Sequence, residues 1–231
     1  MTYPGGKNGS GVYQKIINQI PPHEEYIEAF LGHGSIMRHK KPAIANIGID
    51  SDEHVVEHWR DLIAKNSDLA CVTVIKGDAI SYLRKQRCGR RTFVYADPPY
   101  LFETRSSKKK LYNVEFGTIK EHEKLLILLI CLPCMVAISG YQSSLYASML
   151  ATWRTINYKT VNRAGQVVTE WLWMNYPEPQ ALHDDRYLGE NFRQRERLKR
   201  IRTRWIARLG RMDQLEKYML TAAIAESSEG V

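Results

Sequence analysis

The stretch Phe93-Val94-Tyr95-Ala96-Asp97-Pro98-Pro99-Tyr100 says most about the architecture of this chain. Its first four residues form a short apolar run, which is typical of a buried strand. Each proline fixes its own φ and disfavours helical backbone in the residue before it, so the strand must end in a stiff turn. That turn holds one carboxylate and one aromatic ring at a strand's carboxyl end, where ligands bind in open α/β sheets. A rigid acceptor beside a stacking ring suits a planar base that carries an amine.

Short apolar runs alternate with amphipathic stretches up to about residue 150, which indicates strands alternating with helices. Strands are predicted at 26–30, 44–49, 71–75, 93–96 and 135–139, and helices at 10–20, 35–40, 53–65, 120–131 and 143–150. Such alternation implies a mostly parallel sheet covered by helices. Two further runs, 153–158 and 168–174, are joined only by a loop and predict an antiparallel hairpin at the end of the sheet. The predicted fold class is therefore α/β.

The composition is that of an ordinary soluble globular protein. The chain has 231 residues, 44% of them hydrophobic and 25% charged, enough for one sizeable domain and a small additional element. No apolar stretch approaches the ~20 residues that span a bilayer, and the N-terminal residues lack the apolar core of a secretion signal. We therefore expect a cytoplasmic protein. Cys131 and Cys134 have metal or redox spacing, but no second pair completes a zinc site, so buried, reduced thiols are expected.

Positive charge is concentrated near the C-terminus. The segment 186–212 contains ten Lys or Arg and two Asp or Glu, whereas the rest of the chain contains 23 of each. Prolines in 177–183 predict a linker, and the residues beyond it predict a basic helix at 188–209 and a shorter helix at 212–224. Attraction to polyanions is expected to come mainly from this region.

A glycine pair follows the first predicted strand. Gly32 and Gly34 can turn the backbone tightly and approach a ligand that a Cβ atom would exclude. Asp50 ends the next strand, where a carboxylate can accept hydrogen bonds from ribose hydroxyls, and Asp78 closes the third strand. One such acid is usually a helix cap, but acids at successive strand ends are better explained as a pocket rim. Met37 replaces the third glycine of the dinucleotide fingerprint, which disfavours NAD and favours a smaller adenosine-containing ligand.

These features occur together in one family. The chain resembles the Dam-type, or alpha-class, DNA adenine N6-methyltransferases, particularly the compact phage and prophage forms. The matching motifs follow the family's order and are, in this sequence, Tyr3-Pro-Gly-Gly-Lys7, Phe30-Leu-Gly-His-Gly34, Asp50, Gly77-Asp78, Asp97-Pro-Pro-Tyr100 and Ser139-Gly140-Tyr141. The first motif lacks the spacing of a phosphate-binding loop, which argues against an NTPase.

The resemblance covers about residues 3–176 and implies a domain organisation. Residues 1–178 are expected to form an S-adenosylmethionine-dependent methyltransferase domain with the Rossmann-like class I fold, a mostly parallel seven-stranded sheet. Residues 179–231 are expected to form a basic helical extension.

The resemblance also implies two neighbouring ligand sites. S-adenosylmethionine would bind Tyr3, Lys7, Phe30, Gly32, Gly34, Asp50 and Asp78, with the ribose on Asp50 and the cofactor's adenine on Asp78. The target adenine would be flipped out of DNA into a pocket formed by the catalytic residues Asp97, Pro98, Pro99 and Tyr100. An RNA adenine or cytosine N4 methyltransferase, and a non-catalytic DNA-binding protein that keeps the fold, are the alternatives.

One part of the family pattern is missing. The larger Dam-type enzymes carry a target-recognition domain between the motifs that lie here at Asp78 and Asp97, and only residues 79–96 separate them. The loop at 101–118 is the expected substitute, with the nucleic-acid-binding residues Thr104, Arg105, Lys108, Lys109, Lys110 and Tyr112. The alternative is a solvated loop without contacts. The basic extension is a second candidate for contact with DNA, or its helices form a homo-oligomer.

Overall fold

A computed structural model describes residues 7, 11–104, 116–162 and 165–229 of the chain. Within these ranges, one sheet contains β1 (Glu25–Ala29), β2 (Ala45–Asp50), β3 (Val72–Lys76), β4 (Thr92–Ala96), β5 (Met135–Gly140), β6 (Arg154–Val161) and β7 (Val167–Met174). The helices of the same unit are α1 (Val12–Ile17), α2 (Ser35–His39), α3 (Glu53–Lys65), α4 (Ala79–Lys85), α5 (Ile119–Cys131) and α6 (Ser144–Met149).

The sheet has the strand order β3-β2-β1-β4-β5-β7-β6. β1 pairs in parallel with β2 and β4, whereas β7 runs antiparallel to β5 and β6. The order reverses between β1 and β4, because the chain continues from β1 to β2 and β3 on one side and then returns to β4 on the other. Such a switch point opens a crevice beyond the carboxyl ends of the strands. The predicted fold class, an α/β Rossmann-like sheet of seven strands with a terminal antiparallel hairpin, is confirmed.

The central strands are buried, as expected when helices cover a parallel sheet on both faces. Every residue of β4 is buried, and in β1 only Glu25 is partly exposed. One core cluster joins these strands to the apolar faces of α4, α5 and α6 through residues such as Ile80, Leu126 and Tyr146. This packing fixes the positions of the strand ends, from which the candidate site is built.

Three predicted details differ from the structure. α1 is shorter than the predicted helix at 10–20, because Gly11 precedes it with a left-handed φ of 75° and the helix ends at Asn18. α4 was not predicted, since seven residues are too few to show a clear helical period. Cys131 is exposed rather than buried because it ends α5 at the surface; Cys134 is buried, and both are free thiols.

The chain divides into two units after Asp185. The predicted boundary is residue 178, but the residues that follow it dock on the first unit. The His183 amide donates to the Ile20 carbonyl at 2.9 Å. The buried Asp184 carboxylate accepts a hydrogen bond from a backbone amide of the same unit at 2.8 Å. The expected linker is therefore largely part of the first unit.

The second unit contains α7 (Phe192–Leu209) and α8 (Gln214–Glu229), close to the predicted helices. The Asn191 side chain caps α7 by accepting a hydrogen bond from the Gln194 amide. α7 contains eight Lys or Arg and one Glu, and none of its side chains is buried. In the described part of the chain, no helix is both long and apolar enough to cross a membrane.

Candidate active site

A cavity of about 550 Å³ lies at the carboxyl ends of β1, β2, β3 and β4. Parallel strands present their carboxyl ends at one edge of a sheet, so motifs that are distant in sequence meet there. The predicted cofactor and catalytic residues that line this cavity are Lys7, Phe30, Gly32, Gly34, Asp50, Asp78, Asp97, Pro98, Pro99 and Tyr100.

The loop after β1 has a backbone conformation that few residues adopt. Phe30, Gly32 and Gly34 have positive φ values of 65°, 46° and 60°. Such a φ is costly for a bulky residue like Phe30, so the surrounding structure must impose it. At Gly34 a Cβ atom would lie 2.1 Å from the Trp59 ring, which leaves room only for glycine. The loop is therefore a tight, preset wall of the cavity.

Asp50 fixes this loop from the end of β2. Its Oδ2 accepts a hydrogen bond from the Gly32 amide at 2.8 Å, and its Oδ1 accepts one from the Asp52 amide at 2.9 Å. Trp59 donates its indole N–H to the Gly32 carbonyl at 2.9 Å. Burial raises the pKa of the Asp50 carboxyl above its usual value, although the backbone hydrogen bonds oppose that rise. Each carboxylate oxygen has a second acceptor site, so the structural role leaves room for the role predicted toward a ribose.

Asp78 combines a helix cap with a place on the cavity wall. Its side chain accepts a hydrogen bond from the Ser81 amide at 2.7 Å, which starts α4. The same residue lines the cavity one strand away from Asp50. The two interpretations of an acid at a strand end, helix cap and pocket rim, both apply at this position.

Asp97 follows β4 and is held by buried polar groups. Ser139 on β5 donates its hydroxyl to Asp97 Oδ1 at 2.7 Å, and the Ser139 and Tyr95 hydroxyls lie 2.9 Å apart. Burial raises the pKa of the Asp97 carboxyl, and the positive charge of Lys7 opposes that rise. The side chain retains 18% exposure and lines the cavity, so it is anchored and still accessible to a ligand.

Lys7 lies among acidic groups. Its Nζ is 3.0 Å from Asp97 Oδ1 and 3.0 Å from Glu170 Oε2, and it also hydrogen-bonds the Tyr100 hydroxyl. Its backbone amide donates to the Ser35 hydroxyl at 3.1 Å, which fixes the residue at α2. Burial by itself would lower the pKa of Lys7, but the two carboxylates outweigh it and hold that pKa well above its usual value. The residue predicted to bind cofactor is thus also the charge partner of Asp97.

A buried histidine supports the turn after Asp97. His122 on α5 places Nε2 3.0 Å from the Pro99 carbonyl and 3.1 Å from the Phe116 carbonyl. Its Nδ1 lies 2.8 Å from the Tyr146 hydroxyl. Because carbonyl oxygens only accept, Nε2 carries the proton and Nδ1 accepts from the tyrosine. The turn is thereby tied to α5 and, through Tyr146, to α6.

Two residues of this site were missed in the sequence. Glu170 had a detectable signal, since it is the only charged residue in the strand sequence VVTEWLWM of β7. His122 had none, because a histidine on an amphipathic helix has the same pattern whether it packs or binds. Both take part through contacts between residues far apart in the chain, which periodicity does not report.

Most residues predicted to bind nucleic acid are not described. Arg105, Lys108, Lys109, Lys110 and Tyr112 lie outside the described residues, as does Tyr3 of the predicted cofactor site. Thr104 ends the short 3₁₀ turn Phe102–Thr104, and its hydroxyl donates to the Leu101 carbonyl at 2.9 Å. It is not among the residues that line the cavity. The contacts with nucleic acid therefore stay predictions.

Solved structures similar to this chain include three with TM-scores just below 0.5. The precorrin-6y C5,15-methyltransferase from Geobacter metallireducens GS-15 has 9% identity, covers 76% of this chain and 93% of its own, and gives a TM-score of 0.49. The 23S rRNA methyltransferase ErmE has 11% identity, covers 85% of this chain and 75% of its own, and gives 0.48. The precorrin 8w decarboxylase from Methanobacterium thermoautotrophicum has 10% identity, covers 74% and 91%, and gives 0.49. No protein-family model and no curated protein matches the chain.

Proposed function

We propose that the chain is an S-adenosylmethionine-dependent methyltransferase that methylates N6 of adenine in DNA. The observation that carries the proposal is that one cavity contains both the Asp97-Pro98-Pro99-Tyr100 turn and the glycine loop after β1. The turn offers an acceptor and a ring to a base that carries an amine. The loop, with Asp50 and Asp78 beside it, offers backbone and carboxylates to a nucleoside.

The loop side of the cavity fits an adenosine-containing cofactor. The positive φ at Gly32 and Gly34 allows close approach of a ligand to the backbone. Asp50 keeps acceptor capacity for ribose hydroxyls, and Asp78 lies at the next strand end, where we place the cofactor's adenine. When bound, S-adenosylmethionine would supply an electrophilic methyl group on a sulfonium. The cavity volume of about 550 Å³ is sufficient for a ligand of drug-like size.

Asp97 would bind and orient the amine of the substrate. An aromatic exocyclic amine is a poor nucleophile because its lone pair is delocalised into the ring. Hydrogen bonds from N6 to the Asp97 carboxylate and the Pro98 carbonyl would favour a pyramidal nitrogen with its lone pair available. The methylated amine must release one proton, which the carboxylate is placed to accept. Tyr100 would stack on the flipped base and offset part of an unstacking cost of a few kcal/mol.

The choice of a nucleic acid as substrate draws on charge, and the choice of DNA over RNA draws on the resemblance to the DNA adenine methyltransferases. Of the eight cationic residues of α7, seven are Arg, whose planar guanidinium suits bidentate contact with phosphate. We propose that α7 contacts the DNA backbone and that the loop at 101–118 contacts nucleotides beside the flipped base. A homo-oligomer formed through α7 and α8 is the alternative use of these helices.

Nucleoside analysis by mass spectrometry tests the proposal. DNA and RNA are incubated separately with the full chain and S-adenosylmethionine, then digested to nucleosides. N6-methyldeoxyadenosine in the DNA sample is the expected product. Methylated adenosine only in RNA, or N4-methylcytosine, would replace the substrate assignment, and no methylated nucleoside in either sample would contradict the proposed activity.

A further inference from the structure

Three charged side chains meet beside the cavity, which two of them, Lys7 and Asp97, line. The Lys7 ammonium contacts Asp97 and Glu170 at 3.0 Å each, and its side chain is only 5% exposed. Glu170 is 8% exposed and lies in the middle of β7, just before the buried end of that strand, Leu172–Met174. Asp97 is the only one of the three that belongs to the turn proposed to bind the base.

Stability does not explain the burial of Glu170. Desolvating an ion is costly, and replacing a buried ion pair by apolar residues is often neutral or stabilising. Neighbouring positions in β7, such as Leu172 and Met174, are apolar and fully buried. An apolar residue at position 170 would therefore fit the strand pattern, so the carboxylate has another use.

The net charge of the three side chains explains why position 170 carries a carboxylate. A buried Lys7–Asp97 pair alone is neutral, whereas the three ionised side chains together carry a net charge of −1. Methyl transfer from a sulfonium to an amine brings a positive charge toward N6. Fixed negative charge in a water-poor site stabilises such a charge far more than it does in water.

We propose that Glu170 is a positioning residue for methyl transfer: by sharing the Lys7 ammonium, it holds Lys7 in place and leaves the Asp97 carboxylate with its negative charge uncompensated toward the substrate amine. The proposal rests on the proposed function. Glu170 itself would touch neither substrate nor cofactor and would act through Lys7.

Several titratable groups face this contact and enter its pH dependence. Glu28 on β1 has its pKa raised by burial to about 8, so it stays protonated through the acid range. Five tyrosines that face Lys7 or Asp97 remain neutral there, because burial raises their pKa values; they are Tyr26, Tyr95, Tyr141, Tyr146 and Tyr158. The Tyr100 hydroxyl also faces this contact, since it hydrogen-bonds the Lys7 ammonium. The acid limb of kcat therefore reports Asp97 under the influence of Lys7 and Glu170.

The test compares Glu170→Gln with wild type and with Glu178→Gln, which removes the same charge from an exposed position after β7. In Glu170→Gln, kcat is expected to fall about tenfold or more while the KM for DNA stays within about twofold. Because Glu170 raises the pKa of Asp97, its neutralisation should move the acid limb of kcat to lower pH. Glu178→Gln should change neither. A Glu170→Gln enzyme with wild-type kcat and an unmoved acid limb would overturn the proposal.

Two further measurements keep the outcome decisive. Glu170→Asp retains the charge, so its acid limb should lie at the wild-type pH, and a displacement equal to that in Glu170→Gln would refute the electrostatic role. If the Gln variant does not fold, Glu170→Leu, which removes the charge and fits the apolar pattern of β7, takes its place in both comparisons. NMR titration of the ¹³C-labelled Asp97 carboxyl needs no substrate. The pKa of Asp97 should be lower in Glu170→Gln than in wild type, whether or not the methylated product proves to be DNA adenine. Equal Asp97 pKa values in the two proteins would also overturn the proposal.

Discussion

Replacing Gly34 by alanine should destabilise the first unit by about 2–5 kcal/mol. The backbone at Gly34 has a φ of 60°, and a residue with a Cβ pays about 1–2 kcal/mol in this left-handed region. The new methyl group would also lie 2.1 Å from one Trp59 ring carbon and 2.9 Å from another. Overpacking of this kind typically costs about 1–3 kcal/mol. Trp59 cannot move freely, because it is fully buried and its indole N–H donates a hydrogen bond to the Gly32 carbonyl.

Urea unfolding followed by near-ultraviolet circular dichroism measures this loss. Gly89→Ala is the matched control, because nothing lies within 4 Å of a Cβ atom built there and its φ is not left-handed. The control should change the free energy of unfolding by less than about 0.5 kcal/mol. Since Gly34 lines the cavity, affinity for S-adenosylmethionine should fall in Gly34→Ala and persist in Gly89→Ala. Equal unfolding free energies in the two variants would refute the close packing of this loop.

Three other predictions concern parts of the chain away from the glycine loop. His122→Phe removes the hydrogen bonds to the Pro99 carbonyl and the Tyr146 hydroxyl, so the protein should lose at least about 2 kcal/mol of stability and its kcat should fall. Urea unfolding measures the stability, and calorimetry should show that cofactor affinity persists. An unchanged kcat would contradict the role of His122 in supporting the turn. Burial lowers the pKa of His23 to about 3, below its unfolded value, so the unfolded chain binds more protons than the folded chain between pH 6.5 and 3. The free energy of unfolding should therefore fall as pH drops through that window, by at most ~5 kcal/mol. His23→Phe should flatten this pH dependence, and an equal slope of unfolding free energy against pH in both proteins would refute the prediction. Ending the chain at Asp185 should reduce the salt dependence of DNA binding, since each lost phosphate contact lowers the slope of log K against log salt concentration by about 0.9. An unchanged slope would show that α7 does not contact DNA.

The site could be outlined from sequence because its parts follow strands. Each buried strand ends in a recognisable signal, such as the two glycines, Asp50 or the prolines after Asp97, and parallel strands bring their carboxyl ends to one edge. That reasoning needs no long-range contact to be known in advance. It also identified the terminal hairpin, because β6 and β7 are adjacent in sequence as well as in the sheet.

The contacts that set the chemistry were not available from sequence. Lys7 meets Glu170 across 163 residues, and neither belongs to a repeating pattern that relates them. His122 supports Pro99 through a carbonyl, which any residue type carries. The boundary near residue 178 was placed by its prolines, whereas the structure extends the first unit to Asp185 through backbone hydrogen bonds that leave no mark in composition.

Methyl transfer by Asp97→Ala tests the central claim most directly. The variant and the wild type are incubated with DNA and labelled S-adenosylmethionine, N6-methyldeoxyadenosine is counted, and cofactor binding is measured by calorimetry on the same samples. We expect wild-type protein to methylate adenine, and the variant to bind the cofactor while its transfer falls at least about a hundredfold, because the acceptor for N6 is gone. Transfer by Asp97→Ala at the wild-type rate would contradict the account.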